Sequence, residues 1–403
     1  MDRANAMPTL AEAQAIRDAL FADDVPMHAD ILIWSHTQID AYFSSGGVDV
    51  PHHPPSLSSQ DVDVLHTPPR SRPSTISANL YNTQVAATEQ VSERVICVRG
   101  QNPGFFTGPG TNTYIVGMGS RRVLIDAGDS GVSSYIELLQ RTLRAFDATL
   151  SAILITHSHP DHIGGARDVA RACGGDEPVS IRKVPWSGHD AGLTIENVSD
   201  GDELRIDART TLRAYHTPGH APDHVCWLLP EEGLLFSGDT ILGAGTTIVP
   251  AHGGDMRLYL ASLARLRDDP HGWCTICPGH GPMVTDGRRA VREYIEHRLQ
   301  REAQILNELS LAQQSDCLHG RGSTCPHGGA ADALQSARDL VESMYRDRSL
   351  SHELRMAATE TVYSHLVWLR AKGRVRCDES DDPQRSRHGD NMRPSLDVKW
   401  KIA

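Results

Sequence analysis

The amino-acid sequence predicts an α/β fold: an αββα sandwich of two β-sheets with helices on its outer faces, followed by a small winged-helix-type α+β domain. Strand-type and helical segments alternate between Val123 and Ala172, which is typical of a βαβ arrangement. Further short strand-type segments continue to Leu229 and suit a second sheet. After residue 330, the additional domain is predicted by a strand-type segment at Arg374–Cys377 and by three short helical patterns, Leu334–Met344, Ser351–Ala358 and Thr361–Ala371.

Each element of the sandwich has its own periodicity. Alternating or continuous apolar residues predict strands, and apolar residues three or four apart predict helices. The predicted strands lie in Val91–Arg99, Gly108–Val116, Val123–Asp126, Ala152–Ile155, Thr211–Tyr215, Leu234–Phe236 and Cys274–Cys277. The predicted helices are Tyr135–Phe146, Ala166–Ala172, Asp255–Asp268 and Asp286–Leu309. Four arginines of the last helix lie off its apolar side and predict a solvated face: Arg288, Arg292, Arg298 and Arg301.

The 403 residues leave room for two or three domains. We expect an N-terminal extension over residues 1–88, the sandwich over 89–309, an inserted loop over 310–330 and the winged-helix-like domain over 331–403. In the extension, we expect helices over residues 9–21 and 31–43, followed by a linker rich in Pro, Ser and His over residues 44–75. The inserted loop carries two Cys-x-His pairs, but their spacing matches no zinc finger, so an ordinary loop is favoured over a Cys₂His₂ site.

Composition and charge exclude several classes of protein. A net charge of −12 argues against a general polyanion binder, so any nucleic-acid contact needs a local basic patch. No apolar run approaches the ~20 residues of a membrane span, and no membrane partner is expected. The eight scattered cysteines without a secretory signal favour an intracellular, reducing compartment. The acidic first 24 residues argue against a typical transit peptide.

The segment Ile153–Gly165 is the part of the chain around which the rest is organised. An apolar strand leads directly into four candidate metal ligands: His157, His159, Asp161 and His162. Imidazole and carboxylate groups suit zinc and similar ions. A regular strand or helix would spread these side chains around its axis, whereas a tight loop can turn two toward one ion and two toward a second. A histidine-rich polar loop in a chain with 21 histidines is the alternative.

Three further candidate ligands make that alternative weak. Each follows a strand-type run and comes directly after a glycine, which lets the backbone turn the side chain inward. They are His220, Asp239 and His280. Seven ligands from four junctions between a strand and a loop predict a dinuclear metal site.

This set of motifs resembles the metallo-β-lactamase superfamily. The resemblance implies that one zinc ion is held by His157, His159 and His220, that the other is held by Asp161, His162 and His280, and that Asp239 bridges the two. It also implies hydrolysis by a bridging hydroxide, because zinc lowers the pKa of bound water to about 7. Asp161 would help to orient that hydroxide, so the predicted catalytic residues are Asp161 and Asp239. Asp126 is expected either to support the histidine loop or to end a strand.

Longer strings resemble one branch, the β-lactamase-like protein 2 family, over roughly residues 89–403. They are Gly110–Tyr114, Thr217–His224, Phe236–Thr247 and Tyr294–Glu302. The animal members of that family are zinc-dependent endoribonucleases that cut single-stranded RNA in mitochondria. The resemblance therefore implies single-stranded RNA as substrate and the mitochondrial matrix or cytoplasm as location. An acyl-thioester hydrolase is the alternative, since fungal polyketide thioesterases look similar over the same motifs. A non-catalytic scaffold is disfavoured by the complete ligand set.

Substrate contacts are expected in two places. Thr111 and Asn112 are expected to line the substrate cleft, and His224 either assists the leaving group or, as we favour, structures the loop after His220. A basic cluster in the acidic chain is expected either to grip RNA phosphates or to form a packing or homodimer module. Its members are Arg370, Lys372, Arg374 and Arg376.

Overall fold

Four layers, helices–sheet–sheet–helices, form the main body of the protein. The computed structural model describes residues 86–319, 334–377 and 396–403. The predicted α/β sandwich is confirmed. The helices predicted within residues 1–85, the linker at 44–75 and residues 320–330 of the predicted inserted loop lie outside the described residues. The inserted loop predicted over 310–330 was wrong at residues 310–319, because the helix that begins at Gly287 continues to His319.

The first sheet has seven strands in chain order. They are β1 (Thr88–Gln90), β2 (Val95–Arg99), β3 (Asn112–Val116), β4 (Arg121–Ile125), β5 (Thr149–Leu154), β6 (Ser180–Lys183) and β7 (Glu196–Asn197). Strands β1–β4 pair antiparallel, and β4–β7 pair parallel. Parallel strands need crossover connections. Helix α1 (Ser133–Ala145) connects β4 to β5, while the short α2 (Pro160–Ile163) and α3 (Ala166–Cys173) connect β5 to β6.

The second sheet has five strands in the order β12-β11-β10-β9-β8. They are β8 (Glu203–Asp207), β9 (Thr210–His216), β10 (Val225–Leu229), β11 (Leu234–Gly238) and β12 (Thr275–Pro278). Only β11 and β12 pair in parallel among these strands. Helix α4 (Met256–Asp268) provides their crossover, and α5 (Gly287–His319) follows β12.

Three apolar layers hold the sandwich together. The central layer lies between the two sheets and includes Tyr114 and Phe236, whose ring centres are 5.1 Å apart with an interplanar angle of 61°. The outer layers pack α1 and α3 on the first sheet, and α4 and α5 on the second. Because each sheet is covered on both faces, strands such as β2 and β10 are buried at every position.

A C-terminal module packs on the end of α5. It contains α6 (Ala337–Met344), α7 (His352–Ala371) and a two-stranded sheet of β13 (Val375–Cys377) and β14 (Trp400–Ile402). The prediction of two helices over 351–358 and 361–371 was wrong, because α7 is continuous and no glycine or proline interrupts it. The strand expected near residue 375 is present. Ile305 and Leu309 of α5 contribute to the core of this module, so α5 belongs to both bodies.

The described helices include none that is both long and apolar enough to cross a membrane.

Candidate metal centre

The structure brings all seven candidate ligands together at one end of the sandwich. Each lies just after a strand: four follow β5, and one each follows β9, β11 and β12. Their ligand atoms form two groups of side chains able to hold a metal ion. The first contains His157, His159, His220 and Asp239, and the second contains Asp161, His162 and His280.

The first group has three converging imidazole nitrogens. Nδ1 of His159 lies 2.9 Å from Nε2 of His157 and 3.0 Å from Nε2 of His220. The Asp239 carboxylate lies 3.7 Å from Nε2 of His220. Ligands of a tetrahedral zinc ion with bonds near 2.0–2.1 Å are about 3.3 Å apart. The spacing in this group therefore fits a metal ion of that kind.

The ligand atoms of the second group are similarly spaced, and carboxylates make up a larger share of its ligands. Nε2 of His162 lies 3.3 Å from Nε2 of His280, and Oδ2 of Asp161 lies 3.2 Å from each. The Asp239 carboxylate reaches this group as well, since its Oδ1 is 3.4 Å from His162 and its Oδ2 is 3.4 Å from His280. Asp239 thus lies between the two groups, where one carboxylate can serve two ions.

In a ligand histidine, the hydrogen bond made by the outward-facing ring nitrogen determines which nitrogen faces the centre. Nδ1 of His220 donates to the Ile248 carbonyl at 2.7 Å, and Nδ1 of His162 faces the Asp126 carboxylate at 2.7 Å. Each contact places the proton on Nδ1 and leaves the lone pair of Nε2 pointing inward, as in metal-binding histidines. Oδ1 of Asp239 is buried without a hydrogen-bond partner among the described residues, which leaves it open to a cation.

The electrostatics of the two groups differ. Burial lowers the pKa of His157 well below its ordinary value and lowers the pKa of His159 to about 3. In the second group burial acts in the same direction, but nearby carboxylates outweigh it and raise the pKa of His280 to about 9. His162 and His280 in turn hold the pKa of Asp161 well below its usual range despite burial. The first group offers neutral imidazoles, and the second is rich in negative charge.

Asp126 supports the histidine loop through hydrogen bonds. It follows β4 with a backbone φ of +60°, a conformation that costs a non-glycine residue roughly 1 kcal/mol. Its carboxylate accepts hydrogen bonds from the Thr156 backbone N–H (2.8 Å) and hydroxyl (2.9 Å), in addition to the contact with His162. Of the two expectations for Asp126, the structure shows the contacts of a supporting residue.

Two residues expected to line the cleft do not do so. Asn112 is buried, and its amide donates to the carbonyls of Pro278 and Gly281 on either side of His280. Thr111 is also buried, and its hydroxyl donates to Oδ2 of Asp161 at 3.0 Å. Both buried side chains therefore support metal-ligand loops through hydrogen bonds, Asn112 beside His280 and Thr111 at Asp161.

His224 also has a supporting position. It is buried, and its Nε2 accepts a hydrogen bond from the Asp239 backbone N–H at 3.1 Å. Its Nδ1 lies 2.9 Å from the Thr217 hydroxyl. These contacts agree with the expectation that His224 structures the loop after His220. They occupy both ring nitrogens, so neither is available to a leaving group.

The C-terminal basic residues do not form a uniform cationic face. Lys372 donates to both carboxylate oxygens of Glu302 at 2.9 Å, and its ammonium lies 4.7 Å from the centre of the Trp368 ring. Arg374 and Arg376 are exposed, whereas Arg370 is half-buried. One of the four predicted RNA contacts is therefore already neutralised by a carboxylate.

The solvated arginine face predicted for α5 was wrong at two positions. Arg298 is only 2% exposed and donates to the Thr247 carbonyl. Arg288 donates to carbonyls at the end of α4, including those of Leu266 and Asp269. Helical spacing identifies the apolar side of a helix, but it does not show that loops and a second helix cover the flank.

Sequence reasoning missed a buried ion pair beside the histidine loop. Nζ of Lys183 lies 3.0 Å from Oδ2 of Asp223, and both side chains are fully buried. The same Oδ2 accepts from the Ser158 hydroxyl at 2.6 Å, and Lys183 also binds Asp190 at 2.7 Å. Ser158 stands between ligands His157 and His159, so the pair ties this loop to the turn after β9. The only signal in the sequence was the position of Asp223 between two histidines.

The loop before β3 exposes two aromatic side chains. Phe105 and Phe106 are 37% and 57% exposed in the loop before β3, with ring centres 5.0 Å apart. Thr111 of the same loop contacts Asp161, which places the loop beside the second group. Exposed aromatic residues next to a polar centre can contact an apolar portion of a substrate.

Comparisons with known proteins agree with this architecture. The family model described as the metallo-β-lactamase superfamily matches residues 106–280, which contain all seven ligands. An atrochrysone carboxyl ACP thioesterase of Aspergillus novofumigatus is 35% identical over 72% of this chain and 83% of its own length. A β-lactamase-like protein 2 homolog of Caenorhabditis elegans is 38% identical over 56% of this chain and 75% of its own. A crystal structure of a β-lactamase domain protein from Burkholderia ambifaria shares the fold, with a TM-score of 0.61, 20% identity, and coverage of 80% of this chain and 96% of that one.

Proposed function

The chain belongs to the metallo-β-lactamase superfamily, and from this premise we propose that it is a dinuclear zinc hydrolase of acyl thioesters carried by an acyl-carrier protein. The observation that carries the hydrolase assignment is the convergence of two ligand groups on one shared carboxylate, Asp239. The substrate class is supported by the relative named as an ACP thioesterase, which aligns over more of this chain than the β-lactamase-like protein 2 homolog does.

Zinc suits the donor set because three imidazoles with one carboxylate, or two imidazoles with two carboxylates, are ordinary zinc ligands. His157, His159 and His220 would hold one ion and Asp161, His162 and His280 the other, with Asp239 between them. Two bound zinc ions would supply Lewis acidity, both for a water molecule and for the substrate carbonyl.

The protein's own residues then orient the reaction. Asp161 is ionised and its side chain is 20% exposed, so it can accept a hydrogen bond from the attacking water. Thr111 fixes Asp161 through its hydroxyl. Water adds to the thioester carbonyl carbon, the carbon–sulfur bond breaks, and the thiol leaves with a proton that came from the water. We assign contact with the acyl group to Phe105 and Phe106 of the loop before β3.

An endoribonuclease acting on single-stranded RNA is the second candidate. It is favoured by 38% identity to the β-lactamase-like protein 2 homolog and by the exposed Arg374 and Arg376. In that case the same centre would act on a phosphodiester, and the arginines would contact phosphates.

The deciding experiment compares two substrates. Zinc-loaded protein is assayed on an acyl-pantetheine thioester attached to a carrier protein and on labelled single-stranded RNA. The Asp239→Ala variant tests dependence on the centre, and Asp268→Asn, an exposed acid bound to its neighbour Arg267, serves as the matched control. Thioester hydrolysis that disappears only in Asp239→Ala supports the proposal. RNA cleavage without thioester turnover would replace it with the second candidate.

A further inference from the structure

Segment Thr247–Ala251 lies between the candidate metal centre and the C-terminal module. Two of its groups serve the centre. The Ile248 carbonyl accepts the Nδ1 proton of His220 at 2.7 Å, and the Thr247 hydroxyl donates to the Asp239 carbonyl at 2.8 Å. The ring orientation and tautomer of His220 therefore depend on the position of a backbone carbonyl 28 residues away in sequence.

The opposite side of this segment is held by α7. Ser364 is 5% exposed, and its hydroxyl donates to the Val249 carbonyl at 2.8 Å. The Glu360 carboxylate accepts from the Ala251 backbone N–H at 2.6 Å. Val249 packs in the core beneath the second sheet, whereas Ala251 packs against the core of the C-terminal module. The segment is thus fixed at both ends by two different cores.

Helix α5 contributes a third contact. The buried guanidinium of Arg298 donates to the Thr247 carbonyl and lies 5.3 Å from the centre of the Tyr259 ring. The Tyr259 hydroxyl donates to the Thr240 carbonyl at 2.8 Å, next to Asp239. Residues of α5 and α7 therefore bind the polar backbone groups of positions 247, 249 and 251, which flank Ile248 on both sides.

We infer that the C-terminal module is a structural part of the metal centre, with Ser364 and Glu360 as positioning residues that set His220 through segment Thr247–Ala251. Neither side chain binds the metal itself. Their effect passes through the Ile248 carbonyl, as with other residues that orient metal-binding histidines. The inference rests on the proposed zinc centre, and it is independent of the substrate.

The test measures metal binding in the full-length chain. Zinc affinity is determined by competition with a chelator for wild type and for a Glu360→Ala/Ser364→Ala double variant, and cobalt(II) absorption reports ligand geometry. Thr359→Val is the matched control, because the buried hydroxyl of Thr359, on the same helix, donates to the Arg355 carbonyl of its own turn. We expect one of two zinc sites to weaken by about 10–100-fold in the double variant. The control should be unchanged, and Glu360→Gln, which keeps an acceptor oxygen, should retain most of the affinity.

The outcomes separate this inference from the proposed function. A wild type that binds no zinc overturns the metal centre itself. Two tight sites and an unchanged cobalt spectrum in a folded double variant overturn only the positioning role. If the double variant fails to fold, Ser364→Ala alone is compared with Thr359→Val, and equal zinc affinity in the two contradicts the inference.

Discussion

The two ligand groups share Asp239 but are held in different ways. The second group depends on nearby carboxylates: Asp126 binds His162 from the strand next to β5. In the first group, His220 is oriented by a remote and neutral support, the Ile248 carbonyl. Both groups draw ligands from both sheets, but His162 is supported from the strand next to its own, whereas the support of His220 lies in a segment that α7 holds in place. Substitutions at each support should therefore affect the two sites unequally.

The largest effect is expected at the shared ligand. Asp239→Ala removes a carboxylate that contacts His162, His220 and His280, so both sites should weaken together. We expect hydrolysis to fall by more than about 100-fold, beyond the range for outer supports, as measured by kcat/KM alongside zinc stoichiometry. Retained hydrolysis in a variant that binds no zinc would rule out a metal-dependent reaction.

A large effect on stability is expected at the buried pair beside the first group. Lys183→Met leaves Asp223 charged and buried, which costs about 3–5 kcal/mol of the free energy of unfolding. Denaturant unfolding measures this loss. The exposed pair between Arg265 and Asp200 is the control, and Arg265→Ala should cost only about 0–1 kcal/mol. Equal losses in both variants would mean that the buried pair does not hold the histidine loop.

A smaller effect, confined to one site, is expected at Asp126. Asp126→Asn removes the charge beside His162 but tolerates the positive φ, because asparagine adopts the left-handed conformation readily. We predict about a tenfold loss of zinc affinity at the second group and little change at the first. Chelator competition with cobalt spectra distinguishes the sites, and equal weakening of both would contradict the division between them.

The smallest effect is expected at the exposed arginines of the C-terminal module. For a thioesterase, an Arg374→Ala/Arg376→Ala variant should change hydrolysis by less than about twofold, since exposed surface charges contribute little. For a nuclease, the same variant should lose RNA affinity and show a salt dependence lower by about one per lost phosphate contact. Binding measured across salt concentrations decides between them.

The sequence predicted the parts of this molecule that depend on local pattern. Apolar runs located β2–β5, β9, β11 and β12, and the glycine before each of His220, Asp239 and His280 marked the junctions that the structure brings together. Their role as zinc ligands stays a prediction.

Long-range burial was not predictable from the sequence. Nothing local shows that Asn112 points inward to the carbonyls around His280, or that Arg298 is covered by the loop at Thr247. Lys183 lies at the end of a strand with no motif, and only folding places it beside Asp223. Contacts of this kind join positions 40 to 169 residues apart, which periodicity cannot relate.

Zinc titration of metal-stripped protein tests the central claim most directly. Zinc is added in steps while hydrolysis of the carrier-bound thioester is followed. Two ligand groups sharing Asp239 predict that activity is absent in stripped protein and rises to a plateau at about two zinc ions per chain. Full activity before zinc is added, or a plateau without any hydrolysis at two bound ions, would contradict a dinuclear zinc thioesterase.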